Sequence, residues 1–253
     1  MRFEIDRNGQ YVARFPQPRN VAQIEVLAGV FSTHEATLLP TERNPHLPRI
    51  SELLELSKAY SAQKVSGNAL AVTSSEEAKR LNSRARALVR QIQNLISGLF
   101  ADTPERATEW GFEVRRSGSR AGKVLIPTTR DEMIQTLGQY IDKEESRPEA
   151  ERFAVPRLAE VKQVYDGLRA SLESRDVGTT TRKTGVAGSY EVAEALLDYL
   201  QAALAFLLVT RFDRKVTPEL GLWGYDVIAR PPRPNGNGTT PVEVPPTDNG
   251  TPA

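Results

Sequence analysis

A five-residue pattern occurs twice in this chain. Trp110-Gly111-Phe112-Glu113-Val114 and Trp223-Gly224-Tyr225-Asp226-Val227 are each an aromatic, a glycine, an aromatic, an acid and a valine. Each follows soon after a long apolar helical run. Other landmarks recur in the same order and at nearly the same spacing. Ile24, Leu27 and Phe31 are matched by Ile134, Leu137 and Ile141, Pro48-Arg49-Ile50 by Pro156-Arg157-Leu158, and Ser75 by Ser189. A shared period of this kind is the signature of an internal duplication. The chain is therefore expected to be mainly α, with two tandem three-helix units forming a six-helix bundle. In this reading Trp110, Gly111 and Phe112 plug the open end of one unit, and Trp223, Gly224 and Tyr225 plug the other.

The expected boundaries follow from local signals. Residues 1–15 read as a β-hairpin, with extended runs on either side of an Asn8-Gly9 turn, where positive φ is cheap. Residues 16–127 form the first helical repeat. Its first helix carries Val21, Ile24, Leu27, Ala28 and Phe31 on one face. Its second starts near Pro48, and Ser66-Gly67-Asn68 acts as a breaker. Ser74 or Ser75 caps the third, which places Leu81, Ala85, Leu88, Val89, Ile92, Leu95, Ile96 and Leu99 on one stripe. A second hairpin follows Trp110, with strands 112–116 and 123–126. Residues 128–230 repeat the order, with a Gly- and Thr-rich loop at 177–188 and Ser189 as the last cap. The small antiparallel β element combines the N-terminal hairpin with the strands after each Trp. Its outer edges are open to pairing with another subunit. Residues 231–253, rich in Pro, Gly, Asn and Thr, bury too little apolar area to offset ordering entropy and read as a disordered tail.

Composition removes several kinds of chemistry. There is no cysteine, which excludes disulfides, thiolate metal sites and cysteine nucleophiles. Lys and Arg total 33 against 32 Asp and Glu, so no global field draws the molecule to a polyanion. The N-terminus lacks the basic and apolar regions of a signal peptide. The longest apolar run, Ala202 to Val209, is far short of the ~20 residues that span a bilayer. A cytoplasmic protein without a membrane span is the expectation. The only histidines, His34 and His46, belong to no Glu-x-x-His pair, so a di-iron bundle is not expected. Residues 178–184 resemble a phosphate loop but lack its glycine before the lysine, and there is no Gly-x-Ser-x-Gly elbow. No cofactor, no metal and no enzymatic activity are expected.

Two stretches remain as candidate interaction surfaces. Ala202 to Val209 has no polar face, so it lies inside the bundle or meets another copy through Leu204, Phe206, Leu207 and Leu208. From 79 to 123, Arg84, Arg86, Arg90, Arg115, Arg116, Arg120 and Lys123 lead a basic stretch opposed by few acids. Such a face could follow a phosphate backbone, although it lacks interleaved aromatics for stacking bases. The tail also holds a Pro-x-x-Pro at 231–234, read as a stiff spacer or a groove ligand.

Residues 110–114, 125–132 (Leu-Ile-Pro-Thr-Thr-Arg-Asp-Glu) and 223–227 resemble a group of uncharacterised bacterial tandem helical-bundle proteins. Their repeats close in a Trp-Gly-Phe/Tyr-x-Val element, and the resemblance spans about residues 16 to 230. The group implies the paired helical units and a variable extension, and no catalytic residues. The expected function is a non-enzymatic structural or self-assembling module, partnered by its own copies or by another protein. Binding of nucleic acid or another anionic polymer through 79–123 is the alternative. A small-molecule pocket lined by Trp110 or Trp223 is a third reading.

Overall fold

The computed structural model describes residues 9–119 and 121–230. The fold is mainly helical with a small two-stranded antiparallel sheet. Four α-helices carry it: α1 (Val21–Ala36), α2 (Leu47–Leu99), α3 (Arg130–Glu145) and α4 (Leu158–Thr210). Strands β1 (Tyr11–Arg14) and β2 (Asp226–Ala229) form the sheet. Short 3-10 turns, Pro104–Trp110 and Pro218–Trp223, lead into the two Trp-Gly elements.

α1 starts at Asn20, whose side chain accepts from the Gln23 N–H. It buries Ile24, Leu27, Ala28 and Phe31, the stripe the spacing predicts. α3 starts with a capping box. Thr129 accepts from the Glu132 N–H, and Glu132 reaches back to the Thr129 N–H.

α2 and α4 correct the expected pattern. The sequence predicts two helices in each place, broken at 66–68 and at 177–188. Both are single helices of 53 residues. The glycines are contact points instead of breaks. A methyl added at Gly67 would stand 2.6 Å from the Arg182 nitrogen, and one at Gly178 would stand 2.7 Å from the Ala71 nitrogen. One at Gly185 would stand 2.7 Å from the Lys64 nitrogen. Only glycine lets two helix backbones approach this closely. As α2 runs from Tyr60 to Ala71, its partners on α4 run back from Gly188 to Gly178, so the helices are antiparallel here. Ser75 and Ser189 are not caps. Their hydroxyls donate to the carbonyls of Ala71 and Val186 in the preceding turn.

β1 pairs with β2 from the far end of the chain, Tyr11 opposite Ala229 and Arg14 opposite Asp226. The expected first strand and the turn up to Asn8 lie outside the described residues, as does the 231–253 tail. After Trp110 the expected hairpin contracts to a bridge between Val114 and Val124.

The chain divides into two compact units that do not follow its order: Met1–Ser51 with Leu197–Ala253, and Glu52–Leu196. The smaller buries Ile24, Phe31, Ile50, Leu200, Leu204 and Tyr225. The larger has a core running from Ala78 along α2 to Phe112 and Val124, with Met133, Leu137 and Tyr140 of α3 and Val161 and Leu168 of α4.

Candidate functional site

The two Trp-Gly elements have the same backbone. Gly111 (φ 87°) and Gly224 (φ 86°) are left-handed, which ends the 3-10 turn and sends the chain off extended. Each also touches a helix. A methyl at Gly111 would strike Gln139 and Thr136 of α3, and one at Gly224 would strike Val30 of α1. The Thr136 hydroxyl donates to the Gly111 carbonyl. Both indoles are buried. Trp110 packs at a tilt against Tyr140 and Phe153, and Trp223 packs edge-to-face against His34 and Phe212.

A fully buried glutamate lies near the end of both α1 and α3. Glu35, fully buried at the end of α1, accepts from the Trp223 Nε1–H and the Asn44 N–H, both at 2.6 Å. Glu144, fully buried at the end of α3, accepts from Arg147 at 2.6 Å and from the Phe153 N–H at 2.9 Å. The Trp110 Nε1–H and the Tyr140 hydroxyl have no hydrogen-bond partner among the described residues. Burial pushes the pKa of the Tyr225 phenol far above its usual value, and the Glu35 charge adds to this. Its hydroxyl donates to the Leu200 carbonyl at 2.8 Å. Burial does the same at Tyr140, with Glu144 contributing. Sequence reading missed both carboxylates. The signal was present, because Glu35 and Glu144 fall on the apolar stripes of their helices.

In the larger unit, the strand after Trp110 borders an open cleft of about 1080 Å³. Residues 111–116 form one wall, 125–128 another, and Glu132, Gln135 and Gln139 of α3 the third. Backbone N–H groups of Thr129 and Thr128 hold the Glu132 carboxyl below its usual range. The Glu113 carbonyl accepts from the Leu125 N–H, and the Arg115 N–H donates to the Lys123 carbonyl. The Arg115 carbonyl accepts from the Gly122 N–H, which makes a bulge. Successive strand residues turn their backbone groups to opposite edges. Val114 therefore presents its N–H and C=O to the unpaired edge, and neither has a backbone partner among the described residues.

The basic residues divide. Arg84 is ion-paired with Glu160. Arg86, Arg90, Arg115, Arg116 and Lys123 are exposed and form no ion pair among the described residues. Arg115 and Arg116 line the cleft. Arg120 lies outside the described residues. Leu204, Leu207 and Leu208 are buried within the smaller unit, and Phe206 is half-buried. Those three leucines are core, which removes them as a surface for another copy. By length and composition alone α4 holds a stretch apolar enough to cross a membrane, with mean hydropathy 1.7, and half of that stretch is buried in the fold. Both properties also describe the core helix of a soluble protein. No group of three or more metal-ligating side chains converges among the described residues. The phosphate-loop-like residues 178–184 are helical, without the loop that cradles phosphate.

No protein-family model matches the chain, and no curated protein or solved structure shows significant similarity to it.

Proposed function

We propose that the protein is a non-enzymatic, self-assembling structural module built from a duplicated helical unit. Several correspondences support the duplication. α1 and α3 each have 16 residues, and α2 and α4 each have 53. The penultimate residues of α1 and α3, Glu35 and Glu144, both accept a backbone N–H from the loop that follows. Each long helix leads to a 3-10 turn, a buried Trp and a left-handed Gly.

The observation that carries self-assembly is the open edge at Val114. An unpaired edge with its donor and acceptor facing a cleft is a template for a strand from another chain. Pairing with the same edge of a second copy closes a dimer, and pairing with a different edge leaves an open-ended array. Light scattering after size exclusion tests this on the full chain. The expected result is an oligomer at micromolar concentration that Val114→Pro converts to monomer. That change removes the outward N–H and spares the bonds of Glu113 and Arg115. A strict monomer at high micromolar concentration overturns the proposal.

One observation favours the second reading, binding of an anionic polymer. Arg86, Arg90, Arg115, Arg116 and Lys123 form no ion pair among the described residues. Filter binding over a salt series tests it, because affinity carried by phosphate contacts falls steeply as salt rises.

A further inference from the structure

The close contact of α2 with α4 creates a groove in the larger unit. Lys64, Val65 and Asn68 form its α2 side, and Arg182, Lys183, Val186 and Ala187 its α4 side. The groove measures about 610 Å³, within the range of small-molecule sites. Its chemistry is lopsided. Val65, Val186 and Ala187 are apolar, and Val65 is 68% exposed. Lys64, Arg182 and Lys183 are cations without an ion pair among the described residues, and no carboxylate lines the groove. The glycine contacts hold these charges together. A methyl at Gly185 would meet the Lys64 backbone, and one at Gly67 the Arg182 backbone, so both helices bring their basic residues to one crossing.

We propose that this groove binds a single anionic amphiphile from solution, a carboxylate or phosphate head on an alkyl chain. The head offsets the mutual repulsion of three like charges through charge-assisted hydrogen bonds, with the Asn68 amide as a further donor. The chain covers Val65, Val186 and Ala187 and removes their surface from water. Neither half of such a ligand satisfies the groove alone. Inorganic phosphate leaves the valines wet, and an alcohol of equal chain length leaves the cations unpaired.

The test is calorimetric titration of the full-length protein with dodecanoate and dodecyl phosphate below their micelle concentrations. Dodecanol, inorganic phosphate and vesicles of anionic phospholipid are the other arms. The expected result is saturable binding of one amphiphile per chain, with a shift of the Asn68 side-chain amide in the NMR spectrum. Arg182→Gln with Lys183→Gln should weaken binding by about tenfold or more, since each lost charge-assisted bond is among the stronger polar contacts. Both positions are exposed on a helix, and an unchanged circular dichroism spectrum shows that the variant is folded. Absence of saturable binding overturns the proposal. So does equal binding of dodecanol, binding to vesicles alone, or an affinity that the double variant leaves unchanged.

Discussion

The two tryptophans occupy matching places but differ in one bond. Trp223 donates to a fully buried carboxylate, whereas Trp110 has no acceptor. Trp223→Phe loses the bond to Glu35, whereas Trp110→Phe loses no hydrogen bond among the described residues. A hydrogen bond to a charged group contributes roughly 1.5–3 kcal/mol. Trp223→Phe should therefore cost about 2 kcal/mol more than Trp110→Phe in urea unfolding. The phenols give a second test. Tyr140 and Tyr225 both hold their protons more tightly when folded, with burial as the main cause. Below about pH 10 both folded and unfolded chains keep these protons, and the phenols add no pH dependence. As pH rises past that value the unfolded chain ionises while the folded chain resists, so stability falls with pH. Tyr140→Phe should flatten this alkaline decline at little cost at neutral pH, because its hydroxyl has no partner to lose. Melting temperatures followed from pH 7 to 11 check both statements. The indoles were legible in the sequence, and the Glu35 acceptor of Trp223 was not. A Glu in an apolar stripe reads as a pattern fault until a buried donor is seen to face it.

The helices show where local propensity misleads. Gly67, Gly178 and Gly185 lower helix propensity, and read along one strand of sequence they signal breaks. Packing across α2 and α4 reverses that meaning, because the cost of each glycine is offset by backbone contact that no larger residue permits. This information lies more than a hundred positions away in sequence, so a local reading could not hold it. The apolar stripes of α1, α3 and the second part of α2 were legible because their periodicity is local, but Leu99, the last residue expected on the α2 stripe, is exposed. Substitution separates the two kinds of glycine. Gly178→Ala forces a methyl against backbone atoms at 2.7–2.8 Å, and backbone cannot yield by changing rotamer. Overpacking of this kind costs about 1–3 kcal/mol, more than the propensity gain returns. Gly29 in α1 has nothing within 4 Å of an added methyl, so Gly29→Ala should stabilise by up to about 1 kcal/mol. Thermal melts of the two variants should shift in opposite directions.

At the scale of the whole chain, the sheet and the hairpin invite comparison. In the larger unit, the strand after Trp110 pairs with the segment leading into α3, and the turn at 117–122 joins them. In the smaller unit, β2 follows Trp223 and pairs with β1, which leads into α1, but no turn joins these two. The Arg230 N–H donates to the Gln10 carbonyl, so the described ends of the chain meet where a turn would sit. If one ancestral unit was duplicated, the described ends and the hairpin turn are equivalent places, and the chain should tolerate exchanging them. The permuted protein would run from Ser119 through Arg230, across a short Gly-Asn-rich link to Gln10, and on to Gly118. The new link closes a gap already spanned by a hydrogen bond, so its closure entropy is small, and the new ends fall in an exposed turn. The permuted chain should keep the helical circular dichroism of the parent, and its melting temperature should fall by no more than about 8 °C, the equivalent of roughly 2–4 kcal/mol for a chain of this size. An unfolded product, or one that loses cooperative melting, would mean that the hairpin turn is needed in a way the β1–β2 junction is not. The two halves would then share element lengths without sharing a folding unit, and the case for a doubled module would fail on this count alone.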